Sequence, residues 1–217
     1  MRTSLAIWRE HFDLKPKRLA RGQAVSEQIS SHNIFLVGQG VVKLTHTSKT
    51  GDRVVFGFRR QGQFIVVGSH EADVFCISAV AATDILLYSV SGRRGAIGGS
   101  AAVTPEMLLL DQLRFEIGRS LREADELRNQ TATGRLELLL CRLADMISTR
   151  GDAKGERSFR MPMTNRETAR LISVTPEHFS RIKKRMIAER RIETQGEIWT
   201  IRSPHGHAWP KTSGFFK

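Results

Sequence analysis

Two kinds of apolar–polar pattern divide the chain. Between residues 22 and 90, short apolar runs recur at 34–37, 41–44, 54–58, 64–67, 74–77 and 85–88, each bounded by Gly, Asp or Ser. Short strands at such spacing predict an all-β roll or sandwich. From 105 to about 129 the period becomes helical, with Leu110, Leu113, Ile117, Ala124 and Leu127 on steps of three and four, and Ser120 interrupting. Thr104, Pro105 and Glu106 supply a cap, a proline at the first position and an acid near the positive helix end. Such a helix spans about 37 Å. A core helix would explain its stripe equally well alone, but the charged flanks and the place between two unlike regions predict a seam between two copies of the chain. Ahead of the strands, Leu5, Trp8 and Phe12 at helical spacing predict a short helix that lids the β region, followed by basic Lys15, Lys17, Arg18 and Arg21.

The remainder is helical, then extended. Residues 131–134 break the pattern, and Thr133, Gly134 and Arg135 open a helix to about 148. It buries Leu136, Leu139, Leu140, Leu143, Ala144 and Ile147, with Cys141 beside that face. Thr164 and Glu167 have capping-box spacing, ahead of a short face of Ala169, Leu171 and Ile172. In a four-residue break, Ser173 to Pro176, Thr175 can cap a second helix whose first turn suits Pro176. Over 176–190 that helix sets Phe179, Ile182, Met186 and Ile187 on one side and Glu177, Ser180, Arg181, Lys184 and Arg185 on the other. A hairpin-like run from 192 to 201 turns near Gly196. A basic face alone is an ordinary solvated surface. The order of capped helix, tight turn, basic helix and hairpin instead predicts a winged helix-turn-helix, whose second helix enters the major groove of DNA.

Charge supports a polyanionic partner. The 217 residues carry a net charge of +12, with 17 Lys and Arg against 9 Asp and Glu from Gly134 onward and 17 against 13 before it. The excess lies with the end expected to read DNA, which favours nucleic acid over a membrane surface. Cys76 and Cys141 are far apart and form no C-x-x-C pair, so neither a disulfide framework nor a thiolate metal site is indicated, and inert buried thiols are expected. No apolar run resembles a signal peptide or spans a bilayer, so a cytoplasmic protein is expected.

Glu177, His178, Phe179, Ser180 and Arg181 form an E-x-x-S-R pattern. In this the chain resembles the Crp-Fnr family of bacterial transcription regulators, and specifically the fumarate and nitrate reductase regulator branch, whose members read TTGA-like half-sites. The resemblance implies that Arg181 pairs with a guanine, Glu177 with the bases opposite, and Ser180 helps choose the outer thymine. It also implies a homodimer and contact with RNA polymerase. The chemistry agrees: a guanidinium can donate twice to guanine, a carboxylate can accept from cytosine, and each good pair discriminates by about 1–3 kcal/mol. Where the cyclic-AMP receptor branch has a base-reading arginine, this chain has Pro176. Thr164, Arg166, Thr175 and Lys184 are expected to contact phosphates, with Gln195 adding to these from the wing.

The β region, with Gly38, Gly40, Gly51 and Asp52, looks like the sensor domain of the same family. Residues 62–65 sit where that family has a glycine turn. The expected architecture is α+β: an N-terminal arm and cupin-like β-roll of the cyclic-nucleotide-binding type over 1–103, a dimerisation helix and hinge over 104–132, and a winged helix-turn-helix over 133–217. The ligand-holding residues depart from the family. Val66, Val67, Gly68 and Ser69 replace its G-E-L stretch, and Ile77, Ser78 and Ala79 replace its Arg-Ser-Ala run. A phosphate there would be desolvated without a paired charge, so cyclic AMP is not expected. An iron–sulfur cluster wants four thiolates and is not expected either. Haem stays open through His11, His32, His46 or His70, so the effector is unassigned. One rival is a cupin-type metal enzyme, although the single H-x-H pair, His205 and His207, lies in the tail. Residues 92–99 read as a connector, since no Lys-Ser or Lys-Thr follows to make a phosphate loop. The other rival is a non-specific nucleic-acid binder, against which the base-facing Glu177 argues.

Overall fold

The computed structural model describes residues 8–9, 12–25, 34–47, 51–67, 77–93, 105–148 and 156–202. The chain divides into two compact units, Met1–Glu126 and Leu127–Lys217.

The first unit holds strands β1 (Phe12–Leu19), β2 (Ile34–Gln39), β3 (Val41–Thr47), β4 (Arg53–Arg60), β5 (Phe64–Val66), β6 (Ile77–Ala81) and β7 (Ile85–Arg93), then all but the last two residues of helix α1 (Pro105–Arg128). They form a four-stranded sheet in the order β1-β7-β2-β5 and a three-stranded sheet in the order β4-β3-β6. Alternate residues of a strand face opposite sides. Phe35 and Val37 of β2 therefore join a buried cluster with Val42 and Leu44 of β3, Ala79 and Ala81 of β6 and Leu87 of β7. Leu36 joins Trp8, Phe12, Phe64 and Tyr88 in a second cluster. Strands β2, β5 and β7 of the larger sheet contribute to both clusters, which is why they read as continuous apolar runs. Gly40 carries the chain from one sheet to the other at φ +80°, and a Cβ there would lie 2.2 Å from the Asp84 carbonyl oxygen.

Two expectations change here, and a third is described only in part. Phe12 opens an edge strand and not a helix: it is buried against Trp8, ring centroids 5.3 Å apart, while β1 pairs with β7 along its length. Pro16 sits within β1 because an edge strand tolerates a missing donor. The expected lid survives in Trp8, which is helical, buried and 4.5 Å from the Phe64 ring. Ile77, the last residue of the run at 74–77, opens β6; residues 74–76, Cys76 among them, lie outside the described residues. Gly92 and Arg93 end β7, so the expected connector can begin only after them, and 94–104 lie outside the described residues.

Helix α1 is inside-out in its chemistry. Leu110, Leu113, Ile117 and Leu121 are exposed, Ile117 by 60%, as is Ala124; the Leu127 side chain lies outside the described residues. Turned the other way, Arg119 is only 4% exposed, ion-paired to Glu116 at 2.6 Å and to Glu123 at 2.7 Å. Glu116 also meets Arg59 of β4 at 3.6 Å. Burial, then the neighbouring Arg119, press the Arg59 pKa down, and the two glutamates oppose them.

The second unit contains α2 (Ala132–Ile147), β8 (Arg157–Arg160), α3 (Asn165–Leu171), α4 (Pro176–Ala188), β9 (Ile192–Gln195) and β10 (Ile198–Ile201), with sheet order β8-β10-β9. Helix α2 begins a residue before the expected start. Thr131 caps it by accepting from the Gly134 amide at 3.1 Å, so Gly134 lies in the first turn and not in the break. Leu139 and Ile147 are only half-buried, whereas Cys141 sits fully inside, its thiol pushed up to about 12 chiefly by burial. Strand β8 carried no period-two signal long enough to find it. Between α3 and α4 the chain reverses at Ser173, φ +57°. There the Ser173 and Val174 amides donate to the carbonyls of Arg170 and Ala169, each at 3.0 Å.

Arg119→Ala removes one partner of Glu116, which keeps Arg59, and the partner of the part-exposed Glu123, and is expected to lower stability by about 1.5–3 kcal/mol in urea denaturation. Ser173 holds a left-handed conformation that costs a residue with a Cβ about 1 kcal/mol. Ser173→Gly should therefore stabilise by up to that amount, and Ser173→Val destabilise by more, both read as shifts of the urea midpoint.

Candidate nucleic-acid interface

Helix α4 is anchored by one face. Phe179, Ile182 and Met186 are buried, and the helix packs against α3 and β9. At about 100° per residue, Glu177, Ser180, Arg181 and Lys184 then share the opposite face, and all four are exposed. Ile187 does not join the buried side as expected: one residue past Met186, it is turned about 100° away and is 40% exposed. The helix ends at Ala188, two residues short of the expected end, with Arg190 at φ +55°.

Local bonds fix the approach to this face. The Thr175 hydroxyl oxygen accepts from the His178 amide at 3.2 Å, and Pro176 occupies the first turn. Ser180 donates its hydroxyl to the Pro176 carbonyl at 2.9 Å, leaving its oxygen free to accept. Backbone hydrogen bonding, then Thr175 and Arg181, hold the Glu177 carboxyl below the usual carboxylate range, so it faces solvent as an anion at neutral pH. In α3, Thr164 accepts from the Glu167 amide at 3.2 Å while its own amide donates to the Glu167 carboxylate at 2.7 Å, completing the capping box. Thr164, Arg166 and Thr175 are exposed at the starts of the two helices. Thr168 is buried with Ala169 and Ile172, its hydroxyl donating to the Thr164 carbonyl at 2.8 Å, whereas Leu171 is only half-buried.

Several fixing residues were invisible to pattern reading because their partners are distant in sequence. Arg135 donates to the Ile172 carbonyl at 2.8 Å and to the Gln130 carbonyl at 2.9 Å, tying the end of α3 to the start of α2. Arg185, read as part of the outward basic side, donates to Thr133 at 2.6 Å. Lys183 lies 4.5 Å from the Trp199 ring centre, and burial lowers its pKa. Arg191 pairs with Glu137, whose pKa burial raises against the pull of Arg191. In the hairpin, Gln195 pairs with Ile198 across Gly196 and Glu197. Gly196, at φ +60°, holds the first of the two turn positions, where a II′ turn requires a glycine. Gln195 is exposed beside it.

Among the described residues no group of three or more His, Cys, Asp or Glu could hold a metal ion. His46 lies on β3, 6.3 Å from the Phe56 ring centre. The other histidines weighed as haem ligands, His11, His32 and His70, and the pair His205 and His207, lie outside the described residues. No described helix is long and apolar enough to cross a membrane.

Residues 134–206 match the family model described as the Crp-like helix-turn-helix domain. None of the curated proteins matches the sequence. Among solved structures, the chain resembles TTHB099 of Thermus thermophilus, a CRP-family transcriptional regulator, with TM-score 0.67 and 18% identity over 86% of this chain and 92% of that one. It resembles TTHA1359 of the same organism, a CRP/FNR-family transcriptional regulator, with TM-score 0.65 and 17% identity over 87% and 94%. FixK2 of Bradyrhizobium japonicum follows at TM-score 0.59 and 16% identity over 88% and 93%. The chain thus carries a Crp-like helix-turn-helix domain behind an N-terminal β-sheet domain, and has the α+β fold of CRP/FNR-family transcription regulators.

Proposed function

We propose that this protein is a sequence-specific DNA-binding transcription regulator that acts as a homodimer on a TTGA-like inverted repeat. The observation that carries the reading is the exposed row Glu177, Ser180, Arg181 and Lys184 on a helix anchored by its opposite face. Arg181 and Glu177 read bases, Ser180 reads the outer thymine, and Thr164, Arg166, Thr175, Lys184 and Gln195 hold phosphates. Residues 104–132 join two copies through the exposed stripe of α1, placing half-sites about one DNA turn, 34–36 Å, apart. Residues 1–103 are a sensor or a sensor-derived domain, and 133–217 bind DNA. Its effector, if one is sensed, is unassigned: cyclic AMP is not expected, since strand β6 begins Ile77-Ser78-Ala79 with no arginine for a phosphate, and an iron–sulfur cluster is not expected, since two cysteines cannot supply four thiolates. Such a regulator is no enzyme, works in the cytoplasm and addresses RNA polymerase.

Arg181→Ala is expected to weaken binding to an inverted repeat by about 1–3 kcal/mol and to flatten discrimination at one guanine. Lys184→Ala should weaken all sequences alike and reduce the salt slope by about one. Fluorescence anisotropy on matched and scrambled duplexes distinguishes the two, and identical behaviour would sink the assigned roles. Ile117→Glu should turn a sedimenting dimer into a monomer with unchanged circular dichroism; a wild-type monomer at micromolar concentration would remove the dimer from the reading.

A further inference from the structure

The hairpin tip carries an ion pair that the base-reading face does not use. Arg160, the last residue of β8, bonds the Glu197 carboxylate at 2.5 Å, with side chains 58% and 61% exposed. The register puts Arg160 opposite Ile198 and Ile198 opposite Gln195, so these three lie in one row across the sheet and point to the same side. The neighbouring positions Phe159 and Trp199 turn inward and are buried. The Met161 amide donates to the Glu197 carbonyl at 2.8 Å, fixing the exit of β8 to the turn. Met161, Pro162 and Met163 are buried, and the chain then emerges at Thr164 to cap α3. Thr164 is four positions along the chain from Arg160, a reach of at most about 14 Å. Arg160 therefore shares a sheet row with one of the expected phosphate contacts, Gln195, and lies four positions along the chain from another, Thr164.

We propose that Arg160 is a further DNA-backbone contact, and that Glu197 holds it in reserve: on binding, the guanidinium exchanges the Glu197 carboxylate for a phosphate. The inference rests on the DNA-binding reading above. An exposed ion pair contributes little to stability, so the exchange loses little, whereas a phosphate offers the same fork of acceptors with more charge. Until the exchange occurs, Glu197 presents a negative charge to the DNA backbone and weakens binding to every sequence. The pair thereby sets affinity and salt dependence without touching base preference.

The test measures the affinity of the full chain for an inverted-repeat duplex from 50 to 300 mM salt, alongside a scrambled duplex. Arg160→Ala should lower affinity about five- to tenfold at the low-salt end and reduce the slope of log affinity against log salt by about 0.9 for each phosphate no longer neutralised. Arg160→Lys should restore most of the slope. Glu197→Gln should raise affinity about three- to tenfold, for matched and scrambled DNA alike. Unchanged slopes in Arg160→Ala, or a Glu197→Gln variant that binds no tighter while both variants melt earlier, would make the pair a structural clip only and overturn the proposal. If the wild type prefers the inverted repeat and those slopes do not move, this inference fails alone. If the wild type binds neither duplex, the DNA-binding reading fails and takes this one with it.

Discussion

The burial of three side chains on α4, Phe179, Ile182 and Met186, is the constraint on which the interface depends. Each buried apolar side chain of this size contributes about 1.5–3 kcal/mol, against at most about 1 kcal/mol for an exposed ion pair. The apolar face therefore decides how the helix is rotated, and the polar face follows. With Phe179 inward, Glu177, Arg181 and Lys184 must point outward together. Lys183 and Arg185 are drawn to the flanks by Trp199 and Thr133. The outward row is narrower than the charge of the helix suggests, which suits a face that meets base edges and not only a phosphate wall.

A second asymmetry governs α1. Its charged residues Glu116, Arg119 and Glu123 turn toward the β-roll and Arg59, while Leu110, Leu113, Ile117 and Leu121 meet solvent. A surface helix of a single chain ordinarily does the reverse. Charges taken from water are tolerated only when paired, and here each has a partner of opposite sign. An apolar stripe left outside has no such compensation within one copy. This is the physical basis of the proposed dimer, in which ion pairs hold the helix to its own β domain and apolar contact is left for a second chain.

Where one face of an element meets one environment, the sequence was legible. The capping box of Thr164 and Glu167, the start at Thr175 and Pro176, the buried side of α4 and the hairpin about Gly196 all depend on spacings within a few residues. The strands at 34–37, 41–44, 54–58, 64–67 and 85–88 were equally plain. Phe12 was misread because its helical spacing from Trp8 also suits two rings stacked over a sheet, and pairing with β7 decides between them. Strand β8 was missed because four residues, RSFR, bury only Phe159 and exist as a strand only beside β10.

By itself the sequence determined most of the helices and strands, the starts of α1, α3 and α4, and which residues share the outward face of α4, because caps, turns and periodicity act through neighbours in the chain. Only the tertiary structure decided that Arg119 is buried and Ile117 exposed, that Arg185 is held by Thr133, and that Arg160 meets Glu197 at the hairpin tip. These are contacts between segments, or choices between two faces of one helix. A charged residue looks the same in a sequence whether water or a buried partner satisfies it.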